Sequence, residues 1–210
     1  MRPGLWRWTA YHPEWRQEVG SVACAGPHDL VLIDPLLPRD DAIDALVRDV
    51  GKPVSVLVTV YWHTRSADLV ARRHDARVLA PSGGRAAVRR RAPTIEAFRP
   101  DDPLPGGVRA LPTARSSEVV YWLPGHRTVV PGDVLLGDPE EGLRLCPRSW
   151  LPERTSLDAL RGSLRPLLDL PVARVLVSHG DPVLRNGRAA LERTLAPEAG
   201  GVCHSAPSAA

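Results

Sequence analysis

Lysine is almost missing from this chain. Lys52 stands alone among 27 basic residues, so the positive charge is carried by arginine. Against 24 acidic residues the formal net charge is only +3, and no arginine run is interleaved with aromatics, so no electrostatic footprint for nucleic acid is present. Cysteine is scarce as well. Cys24, Cys146 and Cys203 are odd in number, widely spaced and free of any CxxC pair, which excludes a disulfide framework and a structural zinc knuckle. Cys146 has only Arg144 and Arg148 at short spacing and no histidine, so it is not read as a nucleophile. No apolar run approaches the roughly 18 residues of a membrane span, and the opening MRPGLWRWTAYHPEW lacks the apolar core of a signal peptide. The expectation is a cytoplasmic protein with no membrane partner. Neither a GxSxG elbow nor a phosphate-cradling glycine loop occurs, and Gly83-Gly84 lacks the lysine that would matter.

The 210 residues, 43% of them hydrophobic, suffice for one well-packed domain. Its expected extent is 1–196, with a small, polar tail over 197–210 expected to be disordered. The 22 prolines and 17 glycines call for many stiff loops. Arg89, Arg90 and Arg91 form the densest basic patch and read as the solvated end of a short helix over 85–91.

The chain is organised around VSVLVTVYWHTRS, residues 54–66. Val54 to Val60 is a β-branched run that reads as a buried strand. It opens into Tyr61, Trp62, His63, Thr64 and Arg65, followed by a helix over 66–73 with Ser66 as N-cap. Such a loop, between a strand end and a helix start, is where open α/β sheets place ligands. Before it, Trp6 and Trp8 alternate as in a strand; with Trp15 they either seal the core or form one wall of an aromatic pocket. Strands are expected at 19–25 and 30–34, and a helix over 40–50 capped by Asp40 or Asp41. After it come strands at 77–80, 108–111, 118–123 and 128–130, with a surface run at 93–107. A long loop is expected from Gly137 to Trp150, then a helix over 156–168 capped by Ser156, a strand at 173–177 and a helix over 187–195. That order fits two sheets between helices better than one doubly wound sheet.

Four segments in this order resemble the metallo-β-lactamase superfamily, an αββα four-layer sandwich of the mixed α/β (α+β) class. LVLIDPLLP resembles the early strand with the family's first aspartate, here Asp34. VLVTVYWHTRSADLVARRHDARVLAP matches the strand, metal-binding loop and helix without a gap. EVVYWLPGHRTVVPGDVLLG resembles the hairpin that ends in the bridging aspartate, here Asp133, and VLVSHGDPVLRNGRAAL carries the last metal-binding histidine, here His179. The chemistry departs from the pattern. The family's His-x-His-x-Asp-His positions fall on Val60, Trp62, Thr64 and Arg65, and its next histidine falls near Ala114. The resemblance therefore implies a hydrolase-like protein that keeps Asp133 and His179 of the usual ligand set and holds no dinuclear centre.

Two ligands do not make a catalytic metal site, and His63 is the nearby candidate for a third. It reads either as that ligand or as a loop histidine that hydrogen-bonds or caps the next helix. The leading expectation is a metal-free pocket, with no cofactor or at most one zinc ion. In it Arg65 pairs bidentately with Asp133 while Trp62 fills the vacated volume; otherwise Arg65 points to solvent. Arg115, Glu118 and Trp150 are candidate pocket residues, or plain packing. Asp133, His179 and His63 are the candidate catalytic groups. The expected partner is a small molecule in the cleft, with a homodimer left open. Two functions follow: a hydrolase acting on an ester, lactone or thioester bond, and a non-catalytic binding protein using the same cleft.

Overall fold

A computed structural model describes residues 3–84, 86, 90 and 95–197. The helix expected over 85–91, with its arginine patch, lies almost wholly outside the described residues, and so does the tail from 198 onward. Strands β1 (Leu5–His12), β2 (Gln17–Ala25), β3 (Leu30–Ile33), β4 (Val54–Leu57), β5 (Arg77–Pro81) and β6 (Glu96–Phe98) form one sheet in sequence order. β1, β2 and β3 run antiparallel and β3 to β6 parallel. A second sheet is built from β7 (Arg109–Pro112), β8 (Val119–Leu123), β9 (Thr128–Val130) and β12 (Arg174–Val175), in the order β12-β9-β8-β7. β10 (Leu135–Asp138) and β11 (Gly142–Leu145) make a separate hairpin. Helices α1 (Ala42–Val50) and α2 (Ala67–His74) serve the first sheet, α3 (Leu157–Leu164) and α4 (Gly187–Thr194) the second.

The four layers follow from side-chain alternation. In β3, Val31 and Ile33 join the core between the sheets, whereas Leu30 and Leu32 face the cluster that takes Ile43 from α1 and Val70 from α2. In β8, Val119, Tyr121 and Leu123 enter the inter-sheet core. Val120 and Trp122 point the other way, to Leu160 of α3 and Leu191 of α4. Both sheets are thus apolar on both faces, which only an αββα arrangement can bury. Across the inter-sheet core the fully buried Tyr121 hydroxyl donates to Val58 O at 2.8 Å, satisfying its one polar atom.

Several boundaries differ from the sequence expectations. The strand expected over 54–60 ends at Leu57, and Val60 makes only an isolated bridge to Glu118. The helix expected over 156–168 stops at Leu164, where Pro166 in the next turn tightens it into a 3-10 segment. Ser156 caps α3 by accepting from Ala159 N at 3.0 Å. Ser66 stands at the N-cap position of α2 as expected, but its Oγ accepts from Leu37 N and makes no cap hydrogen bond. The run at 93–107 contains β6, and the long loop before Trp150 contains the β10–β11 hairpin. Among the described residues no helix is long and apolar enough to cross a membrane. Trp6 and Trp8 pack on the helix side of the first sheet, as core.

Candidate functional site

The ends of both sheets converge on one cluster. β4 runs on to Thr59, whose N–H donates to Asp34 Oδ1 at 2.8 Å and whose hydroxyl donates to Asp34 Oδ2 at 2.5 Å. Asp34, just past β3, has φ +48°, a left-handed conformation that Asp tolerates better than most residues. A single 3-10 turn, Tyr61–Thr64, then swings His63 inward until it is fully buried. His63 Nδ1 lies 2.8 Å from Asp34 Oδ2 and 3.1 Å from Thr59 Oγ1. With Nδ1–H donated to Asp34, Nε2 is left to face Asp133.

Asp133 comes from the turn after β9. Its N–H and that of Val134 both donate to Glu118 Oε1, at 2.5 and 3.0 Å. The carboxylate packs so closely under this turn that a Cβ on Gly132 would meet Glu118 Oε1 at 2.4 Å. His179 follows β12. Its carbonyl accepts from Gly137 N at 2.8 Å, and a Cβ on Gly137 would lie 2.3 Å from Asp181 O. The loop therefore lies flush on β10.

At the centre, His63 Nε2 and His179 Nε2 stand 3.1 and 3.2 Å from the same oxygen, Asp133 Oδ1. Neither contact has hydrogen-bond alignment, so His63 Nε2 and Asp133 Oδ1 remain buried without a hydrogen-bond partner. One ligand atom from each of the three residues lies within 4.8 Å of the others. Two neutral imidazole lone pairs facing a carboxylate oxygen repel unless a proton or a cation sits between them. Burial and Arg65 oppose a proton on His63, but Asp133 and Asp34 outweigh them and hold its pKa above the ordinary value. Burial would raise the Asp133 carboxyl; His63 and His179 instead hold it well below the usual range.

This donor set fits one ion. Ligand atoms on a tetrahedral zinc are roughly 3.4 Å apart for bonds near 2.1 Å, close to the separations from Asp133. Asp34 behind His63 supplies the carboxylate that commonly orients a metal-bound imidazole. The donor set does not fit two ions. Val60 is a buried apolar residue, Thr64 Oγ1 donates to Tyr61 O, and Trp62 Nε1 donates to Asp133 Oδ2 at 2.6 Å. Ala114 packs into the helix-side core of the second sheet.

Arg65 requires a correction. Its guanidinium does not pair with Asp133, nor does it point to solvent. Nη1 donates to Gly20 O and Asp34 O, both at 2.9 Å, and Nη2 to Ser178 Oγ at 2.5 Å. Arg65 thereby ties β2, the end of β3 and the His179 loop together, from a backbone at φ +38° and ψ −109°. The fixed cation behind Trp62 is Arg115, whose Cζ lies 5.1 Å from the indole centroid. Arg115 also donates to Glu118 Oε2 at 2.6 Å and to Trp150 O at 2.5 Å. Burial pushes the Glu118 carboxyl up to about 7 despite Arg115. Arg115 and Glu118 are thus buried supports beneath the site and do not line its cavity. Burial raises the Cys146 thiol to about 11, leaving no thiolate near neutral pH.

Above the cluster opens a cavity of about 580 Å³ lined by Trp15, Gln17, Tyr61, Trp62, Asp133, Trp150 and His179. Of the three N-terminal tryptophans, only Trp15 is a pocket wall; its ring lies 5.8 Å from both His63 and His179. Its placement within the β1–β2 turn carries no sequence signal beyond the tryptophan itself. Gln17 and Tyr61 also line the cavity without a pocket signal of their own in the sequence, although Tyr61 stands in the crowded loop after β4.

Two stacked sheets with helices outside them, and two histidines and an aspartate gathered at one end, define the αββα class of folds. The chain belongs to the metallo-β-lactamase superfamily, whose sequence profile matches residues 1–197. Among solved structures, a metallo-β-lactamase from Erythrobacter litoralis, with β-mercaptoethanol in its active site, superimposes with TM-score 0.69 at 18% identity over 93% of this chain and 92% of that one. A family protein from Thermus thermophilus gives 0.61 at 20% identity over 91% and 78%. An archaeal superfamily protein from Sulfolobus tokodaii gives 0.67 at 14% over 93% and 86%. At these identities the likeness shows the fold. No curated protein matches the chain.

Proposed function

We propose that this protein is a hydrolase-type member of its superfamily that works with a single metal ion held by His63, Asp133 and His179. The observation that supports this is the pair of imidazole Nε2 atoms converging on one buried, unpartnered carboxylate oxygen. A divalent ion bound there would polarise a carbonyl and lower the pKa of a water molecule. The protein's own groups do the rest. Asp34 and Thr59 fix the His63 ring, Glu118 fixes the Asp133 turn, and the Trp62 N–H orients the outer carboxylate oxygen. The reaction is hydrolysis of an ester, lactone or thioester: water adds to the acyl carbon, the C–O or C–S bond breaks, and the water's proton passes to the leaving oxygen or sulfur.

A second reading, a metal-free binding protein, has its own support. Trp62 occupies a former ligand position and already bonds Asp133, while a proton on His63 would balance the carboxylate. Assay of neutral esters, lactones and thioesters with and without added zinc separates the two. The first reading expects zinc-dependent turnover that disappears in His179→Ala. Ligand binding without turnover at any metal concentration would favour the second.

A further inference from the structure

We infer that the cavity is built for an uncharged substrate with a flat aromatic group beside its reacting carbonyl, and that it discriminates against carboxylate-bearing compounds. This rests on the reading of the cavity as the substrate site. Of its lining side chains, Trp15, Tyr61, Trp62 and Trp150 are aromatic and Gln17 is neutral, so Asp133 and His179 are its only ionisable groups apart from the Tyr61 phenol. Three of these rings are set by contacts within the wall: Tyr61 meets Trp62 edge-on at 4.7 Å, and Trp150 meets His179 edge-on at 6.3 Å. Trp150 is 44% exposed, a large apolar surface presented at the mouth of the cavity. A planar ligand group stacking there would cover it, and aromatic pairs favour such offset or edge contacts.

Among the described residues no arginine or lysine lines the cavity. Arg65 and Arg115 lie behind wall rings, 5.6 Å from the Trp15 centroid and 5.1 Å from that of Trp62, and their N–H groups, like those of Arg7, go to protein oxygens. Arg65 holds Gly20 O, Asp34 O and Ser178 Oγ; Arg115 holds Glu118 and Trp150 O; Arg7 reaches Val177 O and Gly180 O. A carboxylate on the ligand would therefore lose its hydration without gaining an arginine partner from the walls of the metal-stripped cavity, and would face Asp133. The volume, about 580 Å³, is in the range of small-molecule sites of roughly 300–1,000 Å³.

The test is a binding series read by calorimetry and tryptophan quenching, on both metal-stripped and zinc-loaded full-length protein. The probes are 2-acetylnaphthalene, its carboxylate counterpart 2-naphthoate, and the non-aromatic ketone acetylcyclohexane. In stripped protein 2-acetylnaphthalene is expected to bind at least about tenfold more tightly than either of the others, and Trp150→Ala to weaken it about 3- to 10-fold. Comparable binding of 2-naphthoate or acetylcyclohexane to stripped protein, or no loss in a folded Trp150→Ala variant, overturns the inference. Because this readout needs neither metal nor turnover, it stands or falls separately from the hydrolase reading. In zinc-loaded protein 2-acetylnaphthalene is again expected to bind more tightly than acetylcyclohexane, and loss of that preference also overturns the inference.

Discussion

The two sheets deliver unequal shares of the site. The second sheet's ends supply Asp133 and His179 at the positions the superfamily resemblance assigns them, on tight turns fixed by Gly132 and Gly137. The first sheet's loop, residues 60–65, has none of the four expected ligand types, yet it returns one histidine from the adjacent position. A loop can thus lose its pattern and keep a donor, because a 3-10 turn moves successive side chains by about 120°, enough for neighbouring residues to exchange the inward position. The same rotation puts Trp62 over Arg115 and sends Arg65 into the framework.

That contrast is open to attack, beginning with the largest effect. Arg65→Met keeps the stem but deletes three partly buried hydrogen bonds, so urea denaturation should show a loss of about 3 kcal/mol. Metal content per folded molecule should stay the same; a large fall would mean that Arg65 belongs to the site after all. Next, Asp34→Asn removes the carboxylate behind His63 and should weaken zinc affinity about 10- to 100-fold in a competition titration with a chelator. An unchanged affinity would show that the second sheet alone binds the ion. Trp62→Phe deletes the bond to Asp133 Oδ2 and should reduce stability by about 1.5 kcal/mol, measured in the metal-stripped protein.

Far from the site, Arg77→Ala on β5 should cost less than about 0.5 kcal/mol, since its pair with Glu96 is exposed. Its hydrogen bond from Arg77 holds the Glu96 carboxyl below its ordinary value. A carboxyl depressed by folding stabilises above its unfolded pKa and loses that effect as pH falls through the folded one. The wild type and Arg77→Ala should therefore converge in acid.

Much of the fold was legible because its causes are local. β-branched runs marked β3, β4 and β8, and Ser156 marked the start of α3. The β10–β11 hairpin was not, because LLGDPEEGLRL hides two four-residue strands behind Gly, Pro and charges that read as loop. β6 is three residues at a sheet edge, too short for a pattern. Within the site, Asp133 and His179 followed from the resemblance, and His63 from being the one histidine in the right loop. The partners of Arg65 are two backbone carbonyls and a serine hydroxyl, which leave no trace in sequence. The support of Trp62 by Arg115 depends on two loops meeting across the sandwich, and no local pattern encodes that.

The central claim is that one ion site survives and that the altered loop completes it through His63. Metal analysis of protein purified without chelator, followed by zinc titration of the wild type and His63→Ala, tests it most directly. One equivalent is expected in the wild type and none held by His63→Ala. Two equivalents, no uptake at all, or one equivalent retained undiminished without His63 would contradict it.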